Sequence, residues 1–348
     1  MLMLRKIVFF LFVFVGLSLF AQQDYMVSSY VRGNFYNRGR ISTESLRASD
    51  DLIFLNVHPN KDGSLSFENP RVFQGKGVTT WEGLIKSVRA KVKGTKVKIR
   101  LGASSGEWKA MVADEAARTT FAKNIKTVLE KNKLDGIDLD FEWAENEKEY
   151  KDYSLAILKM REVLGNKYLF SVSLHPVCYK ISKEAIEAVD FISLQCYGPS
   201  PVRFPIEKYC SDIQMVLEYG IPKEKLVAGV PFYGVTKDNS KKTEAYFSFV
   251  QEGLITEPAQ NEVIYKGEKY VFDGQDNIRT KTRYAMEQGL KGMMSWDLAT
   301  DLPLDDSKSL LKAMVEELRK CPPLQVAEFP IGRYQKGFFI IVLNDRAT

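Results

Sequence analysis

The chain is expected to fold as an α/β protein, a (β/α)8 TIM barrel with a short insertion between strands 7 and 8. Eight strand-like segments recur along the 348 residues, several of them continuous apolar runs rich in Val, Ile, Leu and Phe, as buried parallel strands tend to be. Amphipathic stretches of helical period lie between them, and no GxGxxG turn follows the first run, which disfavours an open doubly wound sheet. A chain of this length can bury one large core.

The strands are expected near residues 26–30, 52–57, 96–103, 136–142, 169–175, 191–197, 226–232 and 292–296. Helical patterns run over residues 81–92, 115–131, 147–164, 206–219, 277–288 and 307–318. Active sites of such barrels lie at the C-terminal ends of the strands. Glu142 would close the fourth strand, Tyr197 the sixth and Trp296 the eighth, with Tyr30, His58, His175 and Tyr233 at or near other strand ends. Any one of these aromatics is explained by core packing; together, around acids, they suit a sugar-binding cleft.

The fourth strand is the most informative. From Leu134 to Trp143 apolar and acidic residues alternate, so Asp138, Asp140 and Glu142 share one face while Ile137, Leu139 and Phe141 share the other. Adjacent same-face carboxylates sit roughly 6 to 7 Å apart. Screened from water they cannot all ionise, so one keeps a proton and becomes a potential general acid. A calcium or magnesium site, or an exposed acidic edge strand, is the competing reading.

Outside the barrel, Arg5-Lys6, the apolar run of residues 7–17 and the small-residue end at Ala21 have the layout of a signal peptide, 1–21, with cleavage after Ala21. An uncleaved anchor is the alternative, although the run is short for a membrane span. The catalytic domain would then cover 22–320, with the insertion at 235–275 and a tail, 321–348, of no assignable role. A secreted or periplasmic protein without stable membrane insertion is expected. Loss of Arg5 and Lys6 lowers the formal charge from +5 to +3, and the remaining basic residues are dispersed, so nucleic acid is not an expected partner. Cys178, Cys196, Cys210 and Cys321 have neither zinc-site nor CxxC spacing, and the chain has only two histidines. No metal or cofactor is expected, and the protein is expected to be a monomer.

Asp135-Gly136-Ile137-Asp138-Leu139-Asp140-Phe141-Glu142 resembles the DGxDxDxE signature of glycoside hydrolase family 18, the family of chitinases and endo-β-N-acetylglucosaminidases. The resemblance extends along the chain. Phe54-Leu55-Asn56-Val57 with Asp62-Gly63 looks like the family's second strand and turn, Ala228-Gly229-Val230-Pro231-Phe232-Tyr233-Gly234 like its seventh, and the stretch from Gly289 through Trp296 to Asp297 like its eighth.

That resemblance implies hydrolysis, with retention, of a β-1,4 bond next to N-acetylglucosamine, the substrate's acetamido oxygen acting as nucleophile. It implies that Glu142 protonates the leaving oxygen, Asp140 orients the acetamide, Asp138 shares a proton with Asp140, and Tyr197 hydrogen-bonds the acetamide oxygen. Trp296 would floor the reacting sugar's subsite, with Gln195, Tyr30 and Tyr233 as further substrate contacts. Asp135 is read as structural.

The chain also departs from the family pattern. Arg100-Leu101-Gly102-Ala103 stands where Ser-x-Gly-Gly is usual, Gln195-Cys196-Tyr197-Gly198 where many members have Met-x-Tyr-Asp, and Trp143-Ala144 where an aromatic-Pro is frequent. Within the insertion, residues 263–265 and 270–272 flank Lys266-Gly267-Glu268-Lys269, a hairpin pattern that resembles a reduced family insertion domain and would leave a shallow groove. Three functions fit: a chitinase, an endo-β-N-acetylglucosaminidase acting on N-glycan cores, and a non-catalytic lectin of the same fold. The retained Glu142 disfavours the lectin.

Overall fold

The computed structural model describes residues 25–198, 204–237 and 242–320. The expected signal peptide and the 321–348 tail lie outside the described residues.

Eight parallel strands close into a barrel: β1 (Met26–Arg32), β2 (Asp51–Pro59), β3 (Lys98–Ser104), β4 (Gly136–Asp140), β5 (Leu169–Leu174), β6 (Phe191–Leu194), β7 (Leu226–Pro231) and β8 (Gly292–Trp296). Each pairs with the next in sequence, and β1 pairs with both β2 and β8, leaving no open edge. Close strand approach sets two glycines. A Cβ on Gly136 would lie 1.8 Å from the Leu169 carbonyl oxygen, and one on Gly292 2.0 Å from that of Met26.

Helices coat the outside because their apolar residues recur at three and four positions. Glu115–Asn132 buries Phe121, Ile125 and Leu129, and Glu147–Leu164 buries Tyr153, Ile157, Met160 and Leu164. Asp114 caps the first by accepting from Ala117 N at 2.7 Å, and Asn146 caps the second by accepting from Glu149 N at 3.0 Å. Caps of this kind contribute about 1 kcal/mol each.

Two strands are shorter than the sequence pattern suggests. β4 ends at Asp140, whose register partners are Ser104 and Ser173, and β6 ends at Leu194. Past these ends the regular ladder stops, although Gln195 N still donates to the Leu174 carbonyl at 2.8 Å, so alternation of side chains outlasts the ladder. Glu142 and Tyr197 therefore sit on loops just above the strands, not within them.

The segment between β7 and β8 forms its own four-stranded antiparallel sheet, in the order Thr243–Ala245, Tyr233–Thr236, Glu268–Val271, Glu262–Tyr265. The last two strands are the hairpin read from sequence. Its turn places Lys266 at φ 50° and Gly267 at φ 78°, both positive as a two-residue hairpin loop demands. Phe249, from the helix Tyr246–Gln251, packs on this sheet with its ring 5.5 Å from Tyr265 and 5.3 Å from Phe272. Cys178, Cys196 and Cys210 are free thiols. Among the described residues no helix is long and apolar enough to cross a membrane.

Candidate active site

The alternation in β4 divides its side chains as expected. Ile137 and Leu139 are fully buried in the core shared with the outer helices, while Asp138 and Asp140 enter the lumen, 0% and 4% exposed, and Glu142 is exposed at the mouth. The carboxylates thus climb from dry interior to solvent.

Asp138 is saturated with donors. The Tyr30 hydroxyl, reaching across from β1, donates to its Oδ2 at 2.8 Å, and Ser173 Oγ donates to the same oxygen at 3.2 Å. Ser171 Oγ bonds the other oxygen. Burial raises the Asp138 pKa, against the pull of Arg100, Ser171 and Tyr30 toward the ionised form. Among the described residues Asp140 has one donor, Gln195 Nε2 at 2.9 Å. Burial, then the charges of Glu142 and Asp138, push Asp140 well above the usual carboxylate range. Of the two lumen acids, Asp140 is the one pushed further toward its protonated form.

Above the acids, the Tyr197 hydroxyl is buried and has no hydrogen-bond partner among the described residues. Burial, Tyr233, Asp140 and Glu142 all raise its pKa, so it remains a donor. A buried hydroxyl without a partner is costly. It is the group most in need of an incoming acceptor.

Trp296 is half-buried, its ring 5.2 Å from that of Tyr30 and inclined at 60°. Tyr233 stands edge-on to Tyr197 at 6.4 Å. Trp296 and Tyr233 line a cavity of about 300 Å³ together with Arg32, Phe35 and Phe247. Arg32 lies over the Phe35 ring at 4.1 Å while its Nε pairs with Asp297 Oδ2 at 2.5 Å. The peptide bonds that follow Glu142 and Trp296 are both cis.

Two expected substrate contacts occupy other positions. Tyr30 is 1% exposed and lies beneath the mouth, where its hydroxyl supports Asp138; a bulky ring on the first strand of a closed barrel fills the lumen. Gln195 is 8% exposed and its amide is spent on Asp140. His175 packs against Trp143 at 4.8 Å, and His58 Nδ1 lies 2.6 Å from the Ser104 carbonyl oxygen. Sequence reasoning missed Ser171 and Ser173, whose alternation inside the apolar run of β5 was a readable sign of a second inward polar face. It also missed Asp51 as the partner of Arg100. Among the described residues no three His, Cys, Asp or Glu side chains converge as a metal ion requires.

The model of the glycosyl hydrolases family 18 matches residues 26–301, which takes in every strand of the barrel. The chain belongs to this family. It is 24% identical over 273 residues to the probable chitinase 2 of Drosophila melanogaster, covering 59% of this chain and 56% of the relative. The chain thus spans about half the length of the curated relatives it matches. Among solved family 18 structures, the chitinase ChiB from the chitin utilization locus of Flavobacterium johnsoniae superposes with a TM-score of 0.70 at 23% identity, covering 85% of this chain and 94% of that one. A chitinase from Bacteroides thetaiotaomicron superposes with a TM-score of 0.73 at 18% identity, covering 85% and 96%. At these identities the structural likeness concerns the fold.

Proposed function

We propose that this family 18 chain is a secreted, retaining glycoside hydrolase that cleaves β-1,4 bonds next to N-acetylglucosamine in chitin or chitooligosaccharides. The observation that carries the reading is the graded column of Asp138, Asp140 and Glu142 together with a buried Tyr197 hydroxyl that has no partner among the described residues. Family membership and the chitinases among its relatives support it.

In this reading Trp296 stacks on the sugar whose bond is cut. Tyr197 donates to the acetamide oxygen and Asp140 orients the acetamide nitrogen, aiming that oxygen at the anomeric carbon. Glu142 gives its proton to the leaving oxygen as the C–O bond breaks and the acetamide oxygen bonds to the anomeric carbon. As positive charge grows on the resulting ring, the proton shared by Asp140 and Asp138 moves toward Asp138, leaving negative charge against the substrate. Glu142, now ionised, takes a proton from water, whose oxygen reopens the ring from the same face. Both inversions together retain configuration.

The test is hydrolysis of chitotetraose set beside hydrolysis of a high-mannose glycopeptide. Cleavage of the former with little of the latter is the expected result. The reverse preference would replace the chitinase reading by an endo-β-N-acetylglucosaminidase. Tight binding of either sugar without cleavage would overturn the enzymatic reading in favour of a lectin. Export, proposed from the apolar run at residues 7–17, predicts a mature protein that begins at Gln22 in the extracytoplasmic fraction.

A further inference from the structure

The third strand carries an arginine in its buried lower part, and Arg100 leads to a device below the acids. Arg100 is 0% exposed in the barrel lumen, with its guanidinium 4.8 Å from the Phe191 ring. Its Nε and Nη2 donate to Asp51 Oδ1 and Oδ2 at 2.6 Å and 2.5 Å, a bidentate pair. Ser28 Oγ also donates to Asp51, at 3.0 Å. The remaining nitrogen turns upward. Arg100 Nη1 donates to the Ile137 carbonyl at 2.9 Å and to Ser171 Oγ at 2.7 Å, and Ser171 spends its own proton on Asp138 Oδ1. One arginine thereby grips the backbone beside Asp138 and, through a single hydroxyl, the carboxylate itself.

A cation with its own counterion sits at this level, and Ser171, on the next strand but one, links it to the carboxylate above by a hydroxyl. We propose that Arg100 is a positioning residue for the reaction: acting through Ser171, it fixes the Asp138 carboxylate and keeps it ionised, so that Asp138 and Asp140 together carry one proton and not two.

The consequence for the proposed reaction, on which this inference rests, is direct. An already protonated Asp138 could not receive the proton that Asp140 must shed as positive charge develops. The groups facing Asp138 are Tyr30 from β1, Asp51 from β2, Arg100 from β3, Asp140 on its own strand, the hydroxyls of Ser171 and Ser173 from β5, and Tyr153 from the helix outside. Arg100 is the only cation in this set, and it stays charged: burial opposes its charge, but Asp51 more than compensates. It outweighs the more distant anion it is paired with, since Asp51 acts on Asp138 in the opposite sense but less strongly.

The experiment is a titration of the full chain with 13C-labelled aspartate carboxyls, the Asp138 signal being assigned by its loss in Asp138→Asn. Ser171→Ala cuts the relay and leaves the Arg100 and Asp51 pair intact, so the fold is preserved. Arg100→Met with Asp51→Asn removes both charges without stranding either. In each, the Asp138 midpoint is expected to rise by on the order of one pH unit, as for a carboxylate losing a close donor or cation. The acid limb of kcat/KM on chitooligosaccharides should rise with it, while KM near the optimum changes less than kcat. An Asp138 midpoint unchanged in both folded variants overturns the relay, even if the wild type cleaves chitotetraose. A raised midpoint in a protein that cleaves neither test sugar keeps the relay's effect on Asp138 and overturns the proposed function instead.

Discussion

Asp51 and Glu142 lie at opposite ends of one lumen, and their surroundings differ in kind. At the lower end Asp51 is fully buried and its oxygens are taken up by Arg100 and Ser28. At the upper end, among the described residues, Asp140 has a single donor and the Tyr197 hydroxyl no partner, and Glu142 faces solvent. Buried polar groups are normally satisfied, and those below obey the rule. The buried Tyr197 hydroxyl above falls short of it among the described residues, at the mouth where barrels of this kind do chemistry. Saturation marks scaffold, and its absence at Tyr197 is where the proposed function puts the substrate.

Substitutions at the two ends should therefore fail in different ways. The largest effect is expected at the top, where Glu142→Gln keeps the shape and loses the proton. Turnover of chitotetraose should fall by about 100-fold to 10,000-fold, the usual weight of a general acid, with sugar affinity by calorimetry and Tm little changed. At the bottom, Arg100→Met alone strands Asp51 as a buried charge. Denaturant unfolding should show a loss of about 3 to 5 kcal/mol, and Asp51→Asn in the same chain should recover most of it. An Arg100→Met chain as stable as wild type would erase the distinction drawn between the two ends.

Asp140→Asn lies between these extremes. It should raise the barrier by about 2 to 4 kcal/mol, visible in kcat more than in KM, because the lost charge acts on the transition state. The smallest expected effect is that of Tyr197→Phe, which removes one hydrogen bond to a polarised oxygen. A loss in kcat/KM equivalent to about 1.5 to 3 kcal/mol is expected, together with unchanged or higher stability, since the wild-type hydroxyl is unsatisfied before substrate arrives. A clear loss of stability in Tyr197→Phe would mean that the hydroxyl has a structural partner, and the contrast would weaken.

The barrel was legible because a closed parallel sheet writes itself twice, as apolar runs for strands and as helical periods between them. All eight strands lie where those runs lie, and the β4 alternation placed Asp138 and Asp140 on the inward face before any coordinates. The ends of β4 and β6 were overrun by two or three residues because side-chain alternation persists in extended loops after the hydrogen-bonded ladder has stopped. Tyr30 was assigned to the wrong level of the lumen for a related reason. Position along a strand says that a side chain points inward, but its height in the lumen depends on strand tilt and on what lies across the barrel. The Arg100 and Asp51 pair joins residues far apart in sequence, and no periodicity announces such a partner.

The most direct test of the central claim, that a carboxylate at the mouth gives its proton to a departing glycan while the acetamide shields the anomeric carbon, is proton NMR of chitotetraose in the first minutes of digestion. The account predicts cleavage with the new reducing ends appearing as the β anomer, ahead of mutarotation. Fresh α product, or no cleavage by a folded wild-type protein, would contradict it.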